Sequence, residues 1–171
     1  MAKSDHDFET HPSSRVVLEM RELDVGSKVA LVGHPLHVMM VHFPVAFVIA
    51  TLGIDVFYWW SGDPFWLRVG VWSAGFAFWT GAMASAIGTA ELLLVRGIRL
   101  LEASWSHAVA AMTLLAISGA SWAERLVNPE LVLPHGLVLS VLGSVMVGFA
   151  GWHGGKLVFD HGVGVLVAPR T

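Results

Sequence analysis

The chain contains no cysteine. Disulfides, thiolate metal sites, c-type haem attachment and cysteine-ligated iron–sulfur clusters within it are therefore excluded. Charge is scarce as well: Asp, Glu, Lys and Arg make up 13% of the 171 residues against 55% apolar ones, and mean hydropathy is +0.66. A soluble domain carries about twice that share of charge. No Lys/Arg cluster is present to hold nucleic acid, and no G-x-S-x-G elbow to present a nucleophile. The Gly-rich stretch 151–155 lacks the strand context and Lys-Ser/Thr ending of a phosphate loop. Residues 1–28 are mixed in charge, without the apolar core of a secretory signal.

What the chain does have is four runs free of Asp, Glu, Lys and Arg: 38–54, 69–90, 103–123 and 131–155. Each is close to the roughly 17–25 residues that cross a bilayer as a helix. Tyr58, Trp59, Trp60, Phe65 and Trp66 form an interfacial belt, and Trp105, Trp122 and Trp152 mark other run ends. The fold expected is all-α: a four-helix transmembrane bundle over residues 33–165, with a polar N-terminal tail at 1–32 and a C-terminal tail at 166–171. Gly136, Ser140, Ser144 and Gly148, and likewise Ala77, Gly81 and Ser85, form ladders of small residues suited to close helix packing. Pro44 removes an amide donor, so the first helix either starts near Phe43 or kinks beside His42.

With four crossings, both termini and the loop between the second and third runs share a side. That side holds Lys3, Arg15, Arg21, Lys28, Arg96, Arg99, Lys156 and Arg170; the other holds Arg68 and Arg125. The imbalance places both termini in the cytoplasm of a bacterial inner membrane. Six of the nine histidines, His34, His37, His42, His107, His153 and His161, fall on that same side; His6 and His11 belong to the tail, and His135 lies opposite. Asp55, at a far-side run end, is expected to cap or bridge loops near Arg68.

Gly33-His34-Pro35-Leu36-His37, Val41-His42-Phe43-Pro44 and the closing GWHGGKLVFDHGVGV of residues 151–165 resemble a family of bacterial four-helix membrane proteins of unknown function. The resemblance spans residues 33–165. It implies the fold and leaves the activity open. His42 and His153 depart from the family's pattern, which points to an added site in this chain.

Imidazole is a common axial ligand of haem iron, and a b-type haem needs no cysteine. His42 and His107, on different helices and each about one turn inside the boundary, are the expected iron ligands, with His37 and His153 as further cofactor-binding candidates. One or two b haems would fit this set. His34 and His161 read as interfacial and turn residues, His135 as a helix start. Glu91 ends a 22-residue uncharged run. It is expected to form a salt bridge with Arg96 or Arg99, with orienting a histidine from behind or receiving protons as the alternatives.

The expected function is thus a haem b electron-transfer subunit in the bilayer, with a larger redox complex or a quinone as partner. The alternatives are divalent-metal or proton transport or sensing, using His37, Met39, Met40 and His42 beside Glu91, and a cofactor-free accessory subunit. No acidic or histidine path continues from that side to His135, which weighs against transport.

Overall fold

The computed structural model describes residues 25–165, and the tail histidines His6 and His11 lie outside them. A two-residue hairpin pairs β1 (Ala30–Leu31) with β2 (His34–Pro35). Its loop residues Val32 and Gly33 both take positive φ, as a type I′ turn requires. Six helices follow: α1 (Leu36–Met40), α2 (His42–Ser61), α3 (Pro64–Leu94), α4 (Arg96–Leu100), α5 (Glu102–Val127) and α6 (His135–Phe159). A 3-10 turn, Pro129–Val132, joins the last two.

Local chemistry sets the boundaries. Helices α1 and α2 are one membrane-length unit interrupted at Val41, four residues after His37 and three before Pro44. The break falls beside His42, because proline cannot donate to the Met40 carbonyl. Gly62, at φ 65°, closes α2, and the Asp63 carboxylate caps α3 by accepting from the Phe65 amide at 2.9 Å, with Pro64 in the first turn. Beyond α6, Gly162 at φ 65° sends its amide to the Val158 carbonyl, the bond of an αL helix ending, and Val163 sends its own to Leu157.

The long helices α2, α3, α5 and α6 pack in a ring, each against two neighbours. Three spans, Leu36–Ser61, Pro64–Leu94 and His135–Phe159, are long and apolar enough to cross a membrane. Helix α5 matches them in length but is enriched in serine. Large apolar side chains point outward, among them Trp72, Trp79, Val145 and Trp152. The inside is lined instead by small and polar residues, the inverse of a soluble bundle and the arrangement that lipid favours.

The buried positions repeat every seven residues. Gly70, Ala77, Ala84 and Glu91 line the inner seam of α3, and Gly136, Gly143, Ala150 and Leu157 that of α6. Ser104, Ser118 and Arg125 do so on α5, Val48 and Asp55 on α2. A seven-residue period is the signature of shallow left-handed crossing. The small-residue ladder expected on α6 therefore holds at Gly136 and Ser140 but leaves the inner face by Gly148, where an added Cβ would meet nothing within 4 Å.

Residues 25–29, expected within the polar tail, run as a strap over one end of the bundle. Val25 is buried there with Leu92, Val95 and Ile98, and Val163 packs against the same cluster. Both ends of the described chain and the α3–α5 connection thus meet at one end of the bundle.

Candidate functional site

At the strap end, the ring seam widens into a cavity of about 350 Å³. His37 and His107 both line it, with ring centroids 6.3 Å apart and planes at 81°. Each ring is fixed from behind. His37 Nδ1 lies 2.9 Å from the Ala84 carbonyl oxygen on α3, and His107 Nδ1 lies 3.1 Å from the Ala150 carbonyl oxygen on α6. In that arrangement Nδ1–H donates and Nε2 carries the free lone pair, the tautomer of a metal-ligating histidine.

A glycine makes each docking possible. A Cβ at Gly88, four residues after Ala84, would lie 2.7 Å from the His37 ring; one at Gly154, four after Ala150, would lie 3.1 Å from the His107 ring. The same Ala-x-x-x-Gly turn is used twice.

That repetition extends along the chain. Seventy residues separate His37 from His107, Val48 from Ser118, Thr51 from Ser121 and Asp55 from Arg125. Sixty-six separate Gly70 from Gly136, Ala77 from Gly143, Ala84 from Ala150 and Gly88 from Gly154. The bundle is two equivalent helical hairpins, α1–α3 and α5–α6, related by a pseudo-two-fold axis along its length. Equivalent positions meet across the axis at both ends, the two histidines at one and Asp55 with Arg125 at the other.

The second pair corrects the expectation that Asp55 bridges toward Arg68. Arg125 grips Asp55 in bidentate fashion at 2.8 and 2.7 Å, and both side chains are 1% exposed. Arg125 also donates to Ser121 Oγ at 3.3 Å and to the Gly136 carbonyl at 3.4 Å. Gly70 and Gly136 leave room for the guanidinium, since a Cβ on either would lie 3.0 or 3.2 Å from its nitrogens. Gly70 precedes Ala84 by fourteen residues, so the two polar pairs stand about 21 Å apart along α3.

Glu91 also differs from expectation. It accepts from neither Arg96 nor Arg99; its Oε1 takes hydrogen bonds from Ser27 Oγ and, at 2.8 Å, from the Val29 amide. The Arg99 guanidinium turns back to the Leu93 carbonyl. Glu91 holds the strap down while forming part of the cavity wall.

The remaining histidines stand apart from the cavity. His42 is exposed on the far side of its helix, with Nδ1 3.3 Å from the Met39 carbonyl oxygen. His153 packs at a tilt against Phe149, ring centroids 4.4 Å apart, and its Nδ1 lies 3.0 Å from that residue's carbonyl oxygen within α6. His34 bonds Val32 inside the hairpin, and His135 is the first residue of α6. The pair brought together is His37 with His107, so the expected His42–His107 pairing is not assembled. Met39 is exposed too, and among the described residues no group of three or more His, Cys, Asp or Glu is placed to hold a metal ion.

A family model described as Predicted membrane protein (DUF2231) matches residues 33–166. The chain belongs to that family. No curated protein and no solved structure matches it. The match opens at Gly33 and so takes in both docked histidines, both Ala-x-x-x-Gly turns and the Asp55–Arg125 pair, placing the whole two-hairpin unit inside the DUF2231 region.

Proposed function

We propose that this DUF2231 protein holds one b-type haem between His37 and His107 and serves as an electron-transfer subunit of the bilayer. The observation that carries the reading is the juxtaposition of these two rings. Both line one cavity with centroids 6.3 Å apart, and with each Nδ1 turned to a backbone carbonyl, His37 and His107 would hold the iron through their Nε2 atoms.

The donor set fits a haem better than a bare ion. Zinc sites take three or four protein ligands, whereas a porphyrin brings four nitrogens of its own and asks the protein for two axial ones. The cavity volume falls in the range of about 300–1,000 Å³ usual for cofactor sites. When bound, the haem supplies one-electron chemistry. The chain's part is to hold two equivalent imidazoles, keep their Nδ1 protons on backbone carbonyls and exclude water with Pro44, Val48, Leu114 and Leu115. His42 and His153 lie outside the cavity, which supports one haem rather than two.

In this reading α5 is the fourth crossing, and the Lys/Arg imbalance sets the strap end and both termini in the cytoplasm of a bacterial inner membrane. The electron partner is a membrane redox subunit or a quinone reached at that side. Protein purified from haem-replete membranes is expected to show a Soret band and the reduced-minus-oxidised α band of bis-imidazole b haem. A folded, colourless preparation that gains neither band when haem is added would overturn the proposal.

A further inference from the structure

The two halves of the cavity differ in their polar residues at the strap end. Glu91 on α3 stands where α6 has Leu157, and Ser104 on α5 stands where the first hairpin has His34, which is turned away to Val32. Ser104 lies one turn before His107, is 3% exposed, lines the cavity, and its Oγ has no hydrogen-bond partner among the described residues. A buried hydroxyl left without a partner is destabilising, so a ligand that accepts from it gains by binding there. Glu91, at the same end, accepts at Oε1 from the strap, and Ser104 is the buried hydroxyl there without a partner among the described residues. Toward the middle of the bundle the wall is Pro44, Val48, Leu114 and Leu115.

A cavity with a buried, unpartnered donor at its outer end and a mainly apolar inner end orients an amphipathic ligand. Haem b is such a ligand, with two carboxylates on one edge and hydrocarbon substituents on the other. We infer that Ser104 donates its hydroxyl proton in a hydrogen bond to a haem carboxylate and thereby fixes the macrocycle with its polar edge toward the strap. This rests on the His37–His107 haem reading. Ser104 is a positioning residue, and no bond to iron depends on it.

The test is a titration of the purified full-length protein, its Ser104→Ala variant and its Ser104→Thr variant with haem b and with haem b dimethyl ester, followed at the Soret band. Wild type is expected to favour the free acid by about tenfold to a hundredfold, the range of a hydrogen bond to a charged group. Ser104→Ala should bring that ratio close to one and Ser104→Thr should restore it. The alanine variant loses only a hydroxyl that has no partner, so its fold is retained. If wild type and Ser104→Ala show the same ratio alongside a bis-imidazole spectrum, the role of Ser104 is overturned and the histidine pair stands. If wild type gives no bis-imidazole spectrum with either compound, the histidine reading falls, and the orientation with it.

Discussion

His37→Ala and His107→Ala are each expected to lower haem affinity by at least a hundredfold or to leave a five-coordinate, high-spin iron, while His42→Ala and His153→Ala leave the spectrum unchanged. The size follows from the geometry. Changing only the groups behind a ligand costs about 10–100-fold in metal affinity, and these substitutions remove the proposed ligand itself. Because the two rings occupy equivalent positions and lean on equivalent carbonyls of Ala84 and Ala150, the two losses should match within a few fold. Absorbance titration of the detergent-solubilised variants measures this. Loss of the bis-imidazole spectrum in His42→Ala with retention in His37→Ala would move the site to the other face of the first helix.

The second large effect belongs to the opposite end. Asp55→Ala, with Arg125 left in place, is expected to destabilise the bundle by about 3–5 kcal/mol, because it leaves a guanidinium buried without its counter-charge. Replacing both residues by leucine should recover most of that loss, since apolar pairs of similar volume substitute well for a buried ion pair. The pseudo-two-fold axis adds a sharper expectation. Asp55 and Arg125 hold equivalent positions, and Gly70 and Gly136 open equivalent space beside them. The charge-swapped double variant Asp55→Arg/Arg125→Asp should therefore be far more stable than either single variant. Denaturant unfolding in detergent micelles gives the comparison. A swapped protein no more stable than Asp55→Arg alone would show that the two hairpins are not interchangeable at this end.

The helices were legible because lipid imposes a simple requirement, about twenty residues without charge; all four uncharged runs fall largely in long helices, and three of those are long and apolar enough to cross a membrane. The break in the first helix was legible from Pro44 alone. The identity of the histidine pair was not read, although part of it was available. His42 follows His37 by five residues, and at about 100° per residue the two point some 140° apart, so one helix cannot turn both inward. Depth in the membrane gave His42 its appeal; helical phase decides against it. Phase also puts Val48 and Asp55, eleven and eighteen residues after His37, on the same face as His37, and Ser118 and Arg125 repeat that phase after His107.

The repeat itself was present as constant offsets of seventy and sixty-six residues, but half of those eight pairs join unlike residues. Asp55 answers to Arg125 and Val48 to Ser118, so likeness of residue type does not reveal what likeness of position does. The partner of Glu91 was hidden for another reason. Arg96 and Arg99 are its nearest cations in sequence, yet both are exposed beyond the bend at Val95, while Ser27 and Val29 reach the carboxylate from more than sixty residues away. Ser104 carried no sequence signal. Its importance rests on the absence of a partner, which only the packed structure reveals.

The central claim is that one haem iron sits between His37 and His107 in this membrane bundle. Electron paramagnetic resonance of the oxidised, haem-loaded wild-type protein tests it most directly. Two imidazoles on opposite faces of ferric iron, with planes near the 81° found here, give a low-spin signal of the strongly anisotropic, large-gmax type. That signal is the result the account predicts. A high-spin ferric signal from the loaded wild-type protein, the mark of an iron with a single histidine, would contradict it.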